Sequence, residues 1–80
     1  MEINLARHAV RAGLRASREL EALLGALKKG CETDEYAEAA RALAEAIHRI
    51  HIATVEIATT QYPDIEREIE QNMAKYGRYL

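Results

Sequence analysis

The chain has 80 residues, of which 49% are hydrophobic and 30% charged, and its formal net charge is −2. This length allows one small domain, residues 1–80, whose own core is marginal. The small net charge gives no general reason to expect nucleic acid or an acidic membrane surface as a partner. The single cysteine, Cys31, excludes an internal disulfide, and no leader or membrane span is recognisable, so we predict a cytoplasmic protein.

The first predicted element is a helix over residues 4–29, with Asn4 as its N-cap and Gly30 at its end. Its apolar and small residues recur at three- and four-residue spacing and therefore share one face: Ile3, Ala6, Val10, Gly13, Ser17, Leu20, Leu24 and Leu27. The small residues in the middle of this face predict a close crossing with another helix. A basic strip runs along the same helix, and we expect it to pair with carboxylates: Arg7, Arg11, Arg15 and Arg18.

The second predicted helix covers residues 34–61 and is antiparallel to the first, because only a short loop separates them. Its apolar face is expected to comprise Tyr36, Ala40, Leu43, Ile47, Ile50, Thr54, Ile57 and Gln61. Residues 50–60 are rich in β-branched side chains, but the helical spacing continues through them and no second strand exists to pair with them. Ile52 and Val55 lie opposite this face, which predicts that the helix is buried on more than one side and that these two residues contribute to an oligomer interface.

The third predicted helix covers residues 63–78 and begins at Pro63, a residue suited to a first helical turn. Its buried face is expected to contain Ile65, Ile69, Met73 and Tyr76. The sequence thus predicts an all-α fold, a three-helix bundle made of a long antiparallel hairpin and a shorter third helix. Such a thin core can be completed by homo-oligomerisation.

Few residues suggest chemistry. Glu45 and His48 form a Glu-x-x-His pair, the spacing by which one helix supplies two ligands to carboxylate-bridged metal bundles. They are only weak metal candidates, because the rest of the ligand shell is not evident. Ser17 lies within an apolar face, and the neighbours of Cys31 are acidic, which disfavours a reactive thiolate. We therefore predict a non-enzymatic protein without a cofactor.

The segment Tyr36-Ala-Glu-Ala-Ala-Arg-Ala-Leu-Ala-Glu-Ala-Ile47 resembles the Tyr-x-x-Ala helix of tetratricopeptide-like units. With the proline-marked third helix that follows, residues 24–80 resemble the MIT domain, the three-helix module of microtubule-interacting and trafficking proteins. The resemblance implies that an amphipathic peptide binds in a groove between the second and third helices. The residues that it implies for this groove are Glu66, Ile69, Glu70, Met73 and Tyr76.

Three functions therefore stay open at the level of sequence. The first is a protein-interaction module that binds a helical peptide or partner helix. The second is a self-associating scaffold with a homodimeric four-helix core, in which Ile52 and Val55 contribute to the interface. The third is a metal-binding bundle built on Glu45 and His48.

Overall fold

The computed structural model describes residues 1–80, and every regular element in it is helical. The elements are α1 (Ile3–Gly30), α2 (Thr33–His51), a π-helical turn (Ile52–Glu56), α3 (Ile57–Gln61) and α4 (Asp64–Tyr76). The predicted all-α class is confirmed. The stretch from α2 to α3 is helical without a break, so the β-branched residues 50–60 form helix and not a strand.

The two hairpin helices each begin one residue earlier than predicted, because glutamates provide the caps. The carboxylate of Glu2 accepts hydrogen bonds from the backbone amides of Asn4 and Leu5 at 2.8 and 3.2 Å. The prediction that Asn4 caps α1 was therefore wrong. At the start of α2, the backbone amide of Glu32 donates to the carboxylate of Glu35 at 3.3 Å. Glutamate is a less common cap than Asn, Asp, Ser or Thr, so it was overlooked.

The predicted close crossing occurs at Gly13, which is buried against Thr54. A β-carbon added to Gly13 would lie 2.6 Å from the β-carbon of Thr54 and closer still to its hydroxyl oxygen. No residue other than glycine fits there without a shift of the neighbouring helix. The Thr54 hydroxyl donates at 2.6 Å to the carbonyl oxygen of Ile50, one turn earlier in its own helix. Such back-bonding often accompanies a bend or irregular turn in a helix.

The π-helical turn shifts the apolar face of the second predicted helix by one residue. A π turn accommodates one more residue than an α turn, so every later side chain is rotated around the axis. Beyond the turn, Ala58 is fully buried and Tyr62 is half-buried, whereas Ile57 is 41% exposed. The prediction that Ile57 and Gln61 continue the buried face was therefore wrong.

The third helix, α4, ends at Tyr76, two residues earlier than predicted. Gly77 follows in the left-handed conformation with φ of 72°, which terminates the helix and turns the chain. Tyr79 consequently returns to the core with 9% of its surface exposed, while Tyr76 is 51% exposed and Met73 47% exposed. The predicted burial of Met73 and Tyr76 was wrong, because the glycine turn delivers Tyr79 in their place.

The core occupies one end of the molecule, which we call the closed end. Its buried hydrophobic residues come from α1, the π turn, α3, α4 and the segment after α4: Ala6, Val10, Val55, Ala58, Ile65 and Tyr79. The opposite end is the open arm, residues 14–51, which contains the rest of α1 and all of α2 and has no buried residue. The Cα atoms extend over 44 × 25 × 14 Å. A compact triangular bundle would measure about 14 Å in both short directions, so this molecule is flat.

Candidate interaction surfaces

The open arm carries a shallow apolar groove between α1 and α2, which we call the open face. Its floor is formed by Ala12, Ala16 and Leu20 of α1 together with Ile50 of α2, and Arg15 and Glu19 stand on its rim. The three α1 residues are four positions apart and therefore lie along one side of the helix. The small alanine side chains leave the backbones accessible to another helix.

The open face continues along α2. Half-buried residues recur there at helical spacing: Ala39, Leu43, Ala46 and Ile50. On the other side of the same helix, Ala37 and Ala44 are exposed. The neighbouring Leu23 of α1 is 45% exposed, although it is a large apolar residue. Both helices of the arm thus carry an apolar stripe, and the contact between α1 and α2 buries these stripes only in part.

The accessible area shows how much surface is left uncovered. The molecule exposes 5842 Å², about 1,000 Å² more than the area typical of a folded monomer of its mass. Its radius of gyration is 14.7 Å, against about 12 Å for a compact chain of this length. The arm contributes to this excess, since none of its residues is buried.

The five residues predicted to form a peptide groove all lie on α4. Ile69 is half-buried and packs against the core, Met73 and Tyr76 are exposed, and Glu66 and Glu70 are exposed as well. The helix α4 packs against α3, which is the C-terminal part of the second predicted helix, and it is joined to α1 through side chains. The structure places the five residues along α4, and their role in peptide binding stays a prediction.

The two residues predicted for an oligomer interface have different surroundings. Ile52 is 41% exposed, and together with Ile57 it lines a shallow depression at the π turn. Val55 is only 7% exposed and belongs to the core of the closed end. The prediction that Val55 faces outward was wrong, because the π turn rotates it toward α1.

The weak metal candidates, Glu45 and His48, are both exposed on α2. The carboxylate of Glu45 accepts a hydrogen bond from Arg49 at 3.3 Å, and both side chains of this pair are mostly exposed. The structure assembles no group of three potential ligands at this position or elsewhere. The pair therefore gains no further ligand from within one chain.

A polar network at the closed end joins α1 to α4 and to the segment after α4. The guanidinium of Arg7 donates to both carboxylate oxygens of Glu68, at 3.1 and 2.8 Å. The Tyr79 hydroxyl donates to the same carboxylate at 3.0 Å. The basic strip was expected to pair with carboxylates, and Arg7 is its one member that does so in the structure.

This geometry shifts the pKa of three groups from their ordinary values. The hydrogen bond from Arg7, supported by that from Tyr79, holds the pKa of Glu68 below its ordinary value of 4.5. The same bond to Glu68 raises the pKa of Arg7. Burial, followed by the hydrogen bond and charge of Glu68, raises the pKa of Tyr79 above its ordinary value of 10.0. Glu68 therefore stays ionised and Tyr79 stays neutral over the whole physiological range.

The remaining arginines of the strip converge on a cavity of about 310 Å³ beside the closed end, which we call the arginine pocket. Its lining comprises Arg11, Leu14, Arg15 and Arg18 of α1 together with Arg78, Tyr79 and Leu80. The sequence did not reveal this pocket, because residues 63–78 were assigned to one continuous helix. Gly77, a typical residue for ending a helix, was the signal that would have corrected this.

No match to this chain was found among protein-family models, curated proteins or solved structures. None of the helices has an apolar stretch long enough to cross a membrane.

Proposed function

We propose that this chain is a non-enzymatic helical assembly module whose open face packs against the open face of a second copy. The observation that carries the proposal is the absence of buried residues from α2, although apolar side chains repeat along this helix. An isolated helix of this kind gains most of its stability from packing its apolar face. In the proposed dimer, the two arms form the four-helix core that the monomer lacks.

The area of the uncovered surface supports a second copy as the occupant. A stable interface buries about 800 Å² on each partner, and the molecule exposes about 1,000 Å² more than a typical monomer of its mass. A two-fold dimer uses the same patch on both subunits. The open face is suited to this, because it carries one acidic and one basic side chain on its rim, Glu19 and Arg15. Each can approach the opposite charge on the other subunit.

The proposal is tested by measuring the solution mass with light scattering and analytical ultracentrifugation over a range of concentrations. Ala46→Glu places a charge on the open face, whereas Ala44→Glu places the same charge on the opposite, exposed side of α2. We expect the wild type and Ala44→Glu to be dimers and Ala46→Glu to be a monomer. A wild type that stays monomeric at high micromolar concentration would overturn the proposal, as would a dimer that Ala46→Glu leaves unchanged.

A second candidate function is favoured by the exposed apolar residues of α4. Met73 and Tyr76 are about half exposed and three residues apart, and Glu66 and Glu70 precede them on the same helix. This arrangement suits an amphipathic helical peptide with basic flanks. The resemblance to MIT domains, which stays a prediction, implies a peptide ligand of this kind.

A synthetic amphipathic helix with leucines on one face and lysines beside them provides the probe for this candidate. We expect binding by the wild type, measured by calorimetry, and its loss in Met73→Ala combined with Tyr76→Ala. Leu5→Ala is the control, because Leu5 is an equally exposed apolar residue on α1. If the double variant binds as tightly as the wild type, α4 is not the peptide site.

A further inference from the structure

We propose that the arginine pocket is a binding site for a small organic or inorganic diphosphate. Four arginine residues line the pocket, and no Asp or Glu residue is among its lining residues. Three of these arginines come from α1 at positions 11, 15 and 18, spacing that places them on adjacent turns. The fourth, Arg78, is brought to them from the other end of the sequence.

The backbone that carries Arg78 is fixed by several contacts. Gly77 turns the chain after α4, and the Tyr79 side chain is anchored in the core. The backbone amide of Leu80 donates to the side-chain oxygen of Asn72 at 3.1 Å, and the Asn72 amide donates to the Glu68 carbonyl oxygen at 2.8 Å. The pocket is therefore a product of the tertiary fold and not merely a charged helix surface.

None of the arginines of the pocket forms an ion pair within the chain. The two ion pairs of the molecule are Arg7–Glu68 and Arg49–Glu45, and neither includes a pocket residue. Arg11 lies over the Tyr79 ring at 5.7 Å from its centroid, which orients its guanidinium without neutralising it. Like charges held close together repel one another, and a bound anion removes this repulsion.

The chemistry of the pocket favours phosphate groups over a single carboxylate. A guanidinium presents parallel N–H groups that match two oxygens of one phosphate. Two phosphates provide enough oxygens and enough negative charge to engage four guanidiniums, whereas one carboxylate provides two oxygens and one charge. The volume of about 310 Å³ corresponds to the lower end of small-molecule sites. The pocket also contains Leu14 and Leu80, which offer an apolar contact to the organic part of a ligand.

The experiment measures the binding of inorganic pyrophosphate to the full chain by calorimetry at physiological ionic strength. We expect measurable binding of pyrophosphate, and weaker binding of inorganic phosphate. Arg18→Gln and Arg78→Gln should each weaken pyrophosphate binding by roughly tenfold or more, because each removes a charge-assisted contact. Both residues are exposed and neither lines the open face, so these variants retain the fold and the capacity to dimerise.

Arg41→Gln is the matched control, because Arg41 is an exposed arginine on α2 outside the pocket. We expect it to bind pyrophosphate as the wild type does. No heat of binding in the wild type would overturn the proposal, and so would an equal loss of affinity in Arg41→Gln and Arg78→Gln. Thermal melting of each variant verifies that the fold is retained.

Two further ligands distinguish the source of the phosphate groups. The first is inositol trisphosphate in solution, and the second is a phosphatidylcholine vesicle that contains phosphatidylinositol bisphosphate. Arg78-dependent binding of either ligand supports the proposal and indicates whether the natural ligand is soluble or part of a lipid. Arg78-dependent binding of a mixed-sequence oligonucleotide, much tighter than that of pyrophosphate, would overturn it, because the arginines would then serve a nucleic-acid backbone.

Discussion

The closed end and the open arm are built from the same two long helices, yet they differ in how their side chains are covered. At the closed end, α4 and the segment after it cover α1 and α3, and all the buried residues lie there. In the arm, α1 and α2 pack mainly against each other, apart from the α1 residues that line the arginine pocket, and none of their apolar residues is fully buried. Each helix of a hairpin covers only one side of the other helix. A third helix or a second molecule is therefore needed to bury the apolar residues that remain.

The largest expected effect comes from removing side-chain volume at the closed end. Ile65 is fully buried, and Ile65→Ala should lower the free energy of unfolding by about 2–5 kcal/mol. Leu23→Ala in the arm should cost less than about 1 kcal/mol in dilute solution, because Leu23 is already 45% exposed. Urea denaturation measures both values. If Ile65→Ala does not fold, Ile65→Val, with an expected loss of about 0.5–1.5 kcal/mol, replaces it. Equal losses at the two positions would contradict the division into two regions.

The same substitution at two glycines of α1 should have opposite effects in the two regions. Gly13→Ala forces a β-carbon against Thr54 and should destabilise the protein by about 1–3 kcal/mol. Gly25→Ala should stabilise it by about 0.5–1 kcal/mol, because no atom lies near the added carbon and alanine favours the helix. Thermal unfolding of the two variants measures both shifts. A destabilised Gly25→Ala would mean that the arm is packed more tightly than the structure shows.

The two regions should also respond differently to acid. Because the folded-state pKa of Glu68 lies below its ordinary value of 4.5, its contribution to stability is present above pH 4.5. That contribution is lost as the pH falls from 4.5 through the lower folded-state pKa. The stability difference between the wild type and Glu68→Gln should therefore be large at neutral pH and disappear in acid.

Glu45→Gln provides the comparison for the arm. The ion pair of Glu45 with Arg49 is mostly exposed, so its loss should change stability by less than about 0.5 kcal/mol at any pH. Urea denaturation at a series of pH values measures both glutamate variants. A pH-independent effect of Glu68→Gln would show that its ion pair with Arg7 is not formed in solution.

The smallest expected effect at the closed end is that of Tyr79→Phe, which keeps the buried ring and removes one hydrogen bond to Glu68. We expect a loss of about 0.5–1.5 kcal/mol below pH 10. The raised folded-state pKa of Tyr79 makes this contribution present below its ordinary value of 10.0 and absent once the pH has risen through the folded-state value. An absorbance titration of the wild type should show one tyrosine that ionises above the ordinary value of 10.0 and that is missing in Tyr79→Phe. The absence of such a tyrosine would contradict the burial of Tyr79.

The sequence predicted the elements better than their contacts. The helical spacing and the short connection between the two long helices predicted the antiparallel hairpin, and the small residues around Gly13 predicted its close crossing. The register beyond Thr54 was not predictable in the same way, because a π turn leaves no distinct sequence pattern and arises from the packing of the two helices. The return of Tyr79 to the core was signalled by Gly77 but not by any periodicity, since it lies outside a regular element.

The candidate surfaces were predicted less well for a related reason. An apolar residue at helical spacing has the same pattern whether it faces a core or the solvent, so Val55 and Tyr76 were assigned to the wrong environments. The arginine pocket depends on residues 60 positions apart in the sequence, such as Arg18 and Arg78. Such a contact cannot be predicted from the residue spacing of one helix, because it forms only when the chain turns at Gly77.

The π-helical turn also determines how the chain tolerates changes of length. Deletion of one residue between 52 and 56 would remove the extra residue of the turn and restore a regular α-helix. Ala58 and Tyr62 would then keep their present orientation, whereas a continuous α-helix over the unaltered sequence would rotate the later residues by about 100° and turn Ile57 and Gln61 toward α1. The turn thus sets how the side chains of α3 are rotated about the helix axis relative to those of α2. The arm can change its sequence, or gain whole helical turns, while the residues that close the core keep their orientation.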